Sequence, residues 1–175
     1  MCGIFGYLLQ QPAEASIDTL NKNLELMAHR GPDNRGLMTI NGLEREFYGA
    51  EDLESSAGLT LRAHNIAMGH VRFSLVDLSD SGRQPFQTED GLVAVTFNGE
   101  IYNYVELRKE LQHEGFVFRT SSDTEVLVKA YQCWGESCFE HFVGFWAVAI
   151  YDFGKNRLLL SRDRLGKAPL YIYRN

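Results

Sequence analysis

A chain of 175 residues that is 45% hydrophobic and 23% charged reads as one ordinary globular domain with enough apolar surface to bury a core, not as a disordered segment. Its formal net charge is -6 and its Lys and Arg residues form no basic stripe, which argues against nucleic acid as a partner. No apolar run reaches the length of a membrane span and the start Met1-Cys2-Gly3-Ile4 carries no positive n-region, so a cytosolic protein without a membrane partner is expected.

Residues 3–9 are an apolar run that begins almost at the first residue, which predicts a buried strand and a fixed N-terminus. Across 16–28, Ile17, Leu20, Leu24 and Met27 recur at helical spacing, with Ser16 or its neighbour as the cap. His29-Arg30-Gly31-Pro32-Asp33 breaks that helix into a turn. Short strands are expected at 37–40, 45–48, 60–62 and 66–73, with a surface loop at 49–58. The stretch 79–91 is polar and turn-rich, and 92–97 reads as a strand ending at Asn98-Gly99. A helix over 104–112 closes at Gly115. Ser122-Asp123-Thr124-Glu125 has the spacing of a capping box and opens a helix that runs to about Trp134. Strands follow at 145–152, 157–162 and 170–173, the first two joined by Gly154-Lys155-Asn156. Strands dominate and helices do not follow every strand, so the class is α+β with substantial antiparallel sheet.

Three cysteines, Cys2, Cys133 and Cys138, are too few for a disulfide framework. Cys133, Cys138 and His141 lack a fourth ligand in any zinc pattern, and the two later cysteines are read as core packing. No metal site is expected.

Cys2 is the first residue with chemistry. Removal of Met1 leaves a thiol and a free α-amine on one residue, with unperturbed pKa values of roughly 8.5 and 8. The amine can then serve as base for its own thiol, with no catalytic His. Asn98-Gly99-Glu100 is the second site. A strand ending in Asn-Gly ordinarily signals a hairpin; here Ile101-Tyr102-Asn103-Tyr104 leads into a helix instead, and an Asn amide beside a Gly N–H is the equipment of an oxyanion hole, where one donor is worth about 3 kcal/mol or more. Arg72 reads either as a solvated strand end or as a bidentate ligand for an α-carboxylate. Asp123 is suited to a helix start and equally to receiving an α-ammonium group.

Ordered segments along nearly the whole chain carry a resemblance: MCGIFGY at 1–7, HRGPD at 29–33, GHVRFSLVDL at 69–78, Gln84-Pro85, FNGEIYNYVELRKEL at 97–111, SSDTEVL at 121–127, FVGFWAVAIYD at 142–152 and SRDRLGKAPLY at 161–171. Together they resemble the glutaminase domain of the class II glutamine amidotransferases, and RGPD with NGEIYNYxELRxEL is similar to the asparagine synthetase branch. The resemblance implies the N-terminal nucleophile hydrolase fold, a four-layer αββα sandwich with mostly antiparallel sheets. It implies that Cys2 attacks the side-chain amide of L-glutamine, that Asn98 and Gly99 hold the oxyanion, and that Arg72 binds the substrate α-carboxylate. Glu100 and Asp123 would take the α-ammonium group. Phe73, Ser74, Leu75 and Val76 would line the pocket, and Arg30 and Asp33 would shape the site without reacting. Two positions depart from the family pattern: Phe73 replaces a more frequent Leu, and Ala168, preceded by Lys167, stands where a basic residue usually precedes the Pro.

The same resemblance implies a partner. Family members continue into an ATP-dependent synthetase domain, and no SGGxDS-type pyrophosphate loop occurs here. Residues 1–175 are accordingly expected to be a glutaminase domain that stops short, with no cofactor of its own and with ATP and Mg confined to the synthetase domain. Two other readings stay open on sequence: a glutaminase serving a sugar or natural-product acceptor, and a glutamine-binding domain without turnover.

Overall fold

The computed structural model describes residues 2–73 and 82–174. Two four-stranded antiparallel sheets lie face to face. The first contains β1 (Gly3–Ser16), β2 (Asn34–Asn41), β3 (Glu44–Gly49) and β4 (Thr60–Arg72) in the order β1-β4-β2-β3. The second runs β5-β6-β7-β8, from β5 (Phe86–Gln87), β6 (Val93–Ile101), β7 (Gly144–Asp152) and β8 (Arg157–Arg162).

Helices cover the outer faces. Ile17, Leu20 and Leu24 of α1 (Ile17–Leu26) and Leu53 of α2 (Ala50–Ser55) pack with Leu37, Leu61, Ala67 and Val71 of the first sheet. On the other side Leu107 and Leu111 of α3 (Tyr104–His113), and Val126, Leu127, Ala130 and Tyr131 of α4 (Asp123–Trp134), pack with Val93, Val95, Phe97, Trp146 and Val148. Cys138 of the short α5 (Cys138–His141) joins that cluster and Cys133 packs against it, so both are core residues as expected. Between the sheets sit Met38, Ile40, Ile66, Met68, Ala94, Tyr151 and Phe153. The order helix, sheet, sheet, helix is the expected four-layer αββα sandwich. Each fully buried Leu or Ile here contributes about 1.5–3 kcal/mol relative to exposure.

Local signals explain most element boundaries. Ser16 caps α1, its hydroxyl accepting from Asp18 N–H at 3.2 Å. Ser122 caps α4, accepting from Glu125 N–H at 3.2 Å. The second half of the capping box is absent, because the buried Glu125 carboxylate turns to Arg119 N–H at 3.0 Å and Thr120 N–H at 2.7 Å.

Five expectations are corrected. The run 3–9 lies on β1 but is not a buried strand: β1 is an edge strand paired with β4, and Leu8 and Leu9 are exposed. The strands read at 60–62 and 66–73 are one strand, β4 (Thr60–Arg72), since pairing with β1 continues through His64 between them, while β2 pairs only from Ile66 on. The segment read as a loop at 49–58 contains α2, whose N-terminus is held by Asp52 Oδ2 accepting from Gly49 N–H at 2.8 Å. Residues 170–173 form no strand, and Tyr171 and Tyr173 are exposed. Asn98-Gly99 is no strand end: β6 runs through both residues to Ile101, paired with β7 throughout. Gly99 makes that continuity possible, because a Cβ there would lie 2.1 Å from Phe145 O and 2.7 Å from Trp146 Cα.

Candidate functional site

Strand alternation decides which side chains meet between the sheets. On β4, Ala67 and Val71 face α1 while Ile66 and Met68 face inward, so His70 and Arg72 continue the inward face. On β6, Val93, Val95, Phe97 and Ile101 face the helices, which turns Ala94, Thr96, Asn98 and Glu100 inward. On β1, Phe5 and Tyr7 pack towards α1, and the same alternation turns Ile4 and Cys2 inward. The interior is therefore apolar at one end, around Ile66, Met68 and Ala94, and polar at the other. Two hydrogen bonds cross between the sheets near this boundary: Thr96 Oγ1 donates to Gly69 O at 3.3 Å and His70 Nε2 donates to Phe97 O at 3.2 Å.

Cys2 stands at the polar end. The β1–β4 register ends at Gly3↔Val71, so the next position of each strand sets Cys2 across from Arg72. Cys2 Sγ accepts from Phe73 N–H at 3.3 Å and lies 3.7 Å from Phe73 O. Burial pushes the Cys2 thiol pKa up; the Phe73 N–H, the positive chain terminus and the Arg72 guanidinium pull it down, and the Asp123 carboxylate pushes it up. The thiol thus lies within the fields of Arg72 and Asp123 together.

The segment 29–33 explains the RGPD motif physically. Arg30 Nε donates to Cys2 O at 3.1 Å, and Asp33 N–H donates to Arg72 O at 3.1 Å. A Cβ on Gly31 would lie 2.5 Å from Val71 O and 2.6 Å from Arg72 N, so only glycine lets this turn lie on the end of β4. Arg30 through its side chain and Asp33 through its backbone N–H thus contact the backbones of Cys2 and Arg72.

Arg72 is buried, and its guanidinium lies against Gly82, where a Cβ would come within 2.4 Å of Nη2. Asn98 is buried, and Gly99 and Glu100 follow it half-buried on β6. Among the described residues Asn98 Oδ1 and His70 Nδ1 have no hydrogen-bond partner. Asp123, the first residue of α4, is buried, and its Oδ2 accepts from Ile101 N–H at 3.1 Å. Burial raises the Asp123 carboxyl to about 6, the Glu100 carboxylate adds to that rise, and the N–H groups of Ile101, Thr124 and Asp123 itself oppose it. Burial lowers the His70 imidazole to about 3, so it is neutral at pH 7.

The structure therefore sets Cys2 beside Phe73 at the end of β4 that carries Arg72, ties Asp123 to the end of β6, and turns Asn98 and Glu100 inward on that strand. Phe73 is 40% exposed and meets Cys2 through its backbone. Ser74, Leu75 and Val76 lie outside the described residues. Lys167 lies at the rim: its Nζ is 4.5 Å from the Phe145 ring centroid and 3.5 Å from the Tyr102 hydroxyl. Phe145 in turn pairs with Glu100. No group of three His, Cys, Asp or Glu side chains suited to a metal ion occurs among the described residues. No helix of the described residues is long and apolar enough to cross a membrane. Clefts of about 540 and 600 Å³ open elsewhere, the first around Asn41, Arg45 and His64, the second between β1 and β8.

Sequence reasoning assigned no role to two residues of this region. His70 and Gln84 were legible only as members of longer motifs. Their one further signal is a polar side chain inside a stretch whose neighbours are destined for the core.

Comparison with known proteins adds the following. Residues 55–175 match the family described as Glutamine amidotransferase domain. A putative asparagine synthetase [glutamine-hydrolyzing] 2 of Methanocaldococcus jannaschii is 34% identical over 187 residues, covering 99% of this chain and 32% of that protein. Asparagine synthetase [glutamine-hydrolyzing] 3 of Bacillus subtilis is 32% identical, covering 98% of this chain and 24% of its own length. The amidase chyE of Penicillium rubens is 34% identical, with the same 98% and 24%. The chain thus spans no more than about a third of the length of these relatives. Among solved structures, the glutamine phosphoribosylpyrophosphate amidotransferase of B. subtilis, complexed with ADP and GMP, superposes with a TM-score of 0.74 at 22% identity. That match covers 93% of this chain and 37% of the other, and it shows a shared fold.

Proposed function

The chain belongs to the class II glutamine amidotransferase domain family, and from that premise we propose that it hydrolyses L-glutamine to L-glutamate and ammonia with Cys2 as nucleophile. The observation that carries the reading is the seating of Cys2 Sγ on the Phe73 backbone at the end of β4, next to the buried Arg72 and at the end of the sandwich where β6 turns Asn98 inward.

Each residue has a task. With Met1 removed, the α-amine of Cys2 takes the thiol proton and Sγ attacks the side-chain amide carbon of glutamine. The Asn98 amide and the Gly99 N–H hold the oxyanion. Arg72 pairs with the substrate α-carboxylate through its planar fork, while Glu100 and Asp123 receive the α-ammonium group. Phe73 lies beside the thiol through its backbone. The protonated amine delivers its proton to the leaving nitrogen, ammonia departs, and water resolves the γ-glutamyl thioester. Burial raises the Asp123 pKa by disfavouring its lone charge, and an ammonium group beside it would offset that cost.

We place the acceptor step on a separate ATP-dependent synthetase domain, where ATP and Mg would bind, and assign aspartate as the acceptor on the strength of the synthetase relatives. A second reading draws on the fungal amidases chry2 and chyE, which are 33% and 34% identical to this chain: the same glutaminase chemistry would feed a different acceptor. Supplying the whole protein with glutamine, ATP and aspartate separates the two, since only the first reading yields asparagine.

The test of the glutaminase step is ammonia release from glutamine by protein whose free Cys2 amine has been verified by mass spectrometry. Cys2→Ala should abolish release while the far-UV circular dichroism and melting transition stay those of the wild type. Ammonia release unchanged by that substitution removes the mechanism.

A further inference from the structure

We propose that Gln84 is a positioning residue that holds the oxyanion strand and the α-ammonium site in one frame; the proposal rests on the glutaminase reading above. Its buried side chain reaches two elements at once. Oε1 accepts from Phe97 N–H at 2.6 Å, and Nε2 donates to Thr124 Oγ1 at 3.3 Å. Phe97 immediately precedes Asn98, and Thr124 immediately follows Asp123. One carboxamide thus joins β6 and α4 at the residues next to the two functional groups.

The need for this contact comes from the shortness of β5. That strand pairs with β6 only at Phe86↔Val95 and Gln87↔Ala94, so Phe97 lies beyond its reach on that side. A buried backbone N–H left without an acceptor is costly, and the Gln84 side chain supplies the acceptor that a longer strand would have given. The amide orientation is fixed by this bond, because only its oxygen can face an N–H. The Gln84 backbone is itself seated against the first sheet: a Cβ on Gly36 of β2 would lie 2.3 Å from Gln84 O.

His70 completes the arrangement from the other side. Its Nε2 donates to Phe97 O, and it lies two residues before Arg72 on β4. Both backbone polar groups of Phe97 are therefore held by buried side chains. Asn98 follows from that anchored residue and inherits its position relative to Arg72 and to Asp123. A displacement of about 1 Å at such a residue suffices to lose about 100-fold in rate.

The experiment compares two readouts in the full chain with its Cys2 amine free. Glutamine hydrolysis depends on Asn98 and Asp123; alkylation of Cys2 by iodoacetamide needs neither. Gln84→Leu should lower kcat/KM for glutamine about 10- to 100-fold, with the alkylation rate within twofold of the wild type. Gln84→Glu, which keeps the acceptor for Phe97 N–H, should recover part of the lost kcat. Thr124→Val removes only the tie to α4, so KM should rise about threefold or more with kcat held within twofold. That variant also carries the test if Gln84→Leu does not fold. Hydrolysis unchanged in Gln84→Leu, equal losses of hydrolysis and alkylation, or an unchanged KM in Thr124→Val overturns the proposal. A wild-type chain that releases no ammonia instead overturns the glutaminase reading on which it stands.

Discussion

Asp123 Oδ2 accepts a hydrogen bond from Ile101 N–H at 3.1 Å, tying the first turn of α4 to the end of β6 three residues past Asn98. The bond satisfies one lone pair of a buried carboxylate whose pKa nevertheless stands at about 6, because burial outweighs the N–H donors.

That balance gives a pH signature. A carboxylate must be ionised to receive an ammonium group, so kcat/KM for glutamine should climb as pH rises through about 6. Asp123→Asn should flatten that limb and raise KM by about 10-fold or more, since a charge-assisted contact worth about 1.5–3 kcal/mol is lost. The stability effect runs the opposite way. The folded pKa lies above the ordinary aspartate value of about 3.9, so the favourable contribution is complete below that value and is lost as pH rises through about 6. Thermal melts from pH 4 to pH 7 should therefore show the wild type losing midpoint relative to Asp123→Asn. A pH-independent kcat/KM between 5 and 7 would contradict the assignment.

Gly99→Ala tests the passage of β6 through the site. The added Cβ would lie 2.1 Å from Phe145 O, against backbone that cannot move aside without parting β6 from β7. Overpacking of this kind costs about 1–3 kcal/mol, and a melt should register it. The peptide that would face the oxyanion moves with the strand, so glutamine turnover should drop about 100-fold. A variant with wild-type kcat would remove Gly99 from the reaction.

Asp163 organises the loop after β8. Its buried carboxylate accepts from Trp146, Leu165, Lys167 and Ala168 N–H groups at 2.9–3.3 Å. Burial alone would raise its pKa, yet these donors bring it below the ordinary value. A depressed pKa means stability that is present above the unfolded value and lost as pH falls. Asp163→Asn, which turns an NH₂ towards N–H donors, should destabilise by about 1–3 kcal/mol at pH 7. Its deficit should shrink on acidification below about pH 4, where the wild type loses the same contribution. Equal deficits at pH 3 and pH 7 would speak against a carboxylate role.

Much of this architecture was legible in the residues, for identifiable reasons. The apolar run after Cys2 announces β1, and Ser16 and Ser122 announce the starts of α1 and α4 because a short hydroxyl side chain is the natural acceptor for an exposed helix N–H. Cys2 could be singled out by its position at the chain start, whereas Arg72 and Asp123 sit at ordinary positions, a strand end and a helix start, and took their roles from the resemblance carried by the longer motifs. Asn98-Gly99 misled as a strand end. Glycine there serves close approach to Phe145, and a one-dimensional pattern does not distinguish that need from the need for a turn. The six-residue α2 hid in a polar stretch because its hold on the fold is a single buried side chain, Leu53, with too few turns to display a period. Gln84 and His70 gave no sign of their contacts, since both bond the backbone of Phe97, which leaves no imprint on the sequence, and the second partner of Gln84, Thr124, lies 40 residues away.

The inward face of β6 is a matter of parity. Ala94, Thr96, Asn98 and Glu100 occupy the even positions, and Val93, Val95, Phe97 and Ile101 the odd. Removing or adding one residue between 94 and 97 would exchange the two sets, driving Asn98 into the helix-facing core and Phe97 into the cleft. Folding and reactivity would then be lost in the same stroke. Changes of length therefore have to fall elsewhere, in the loops that join the strands.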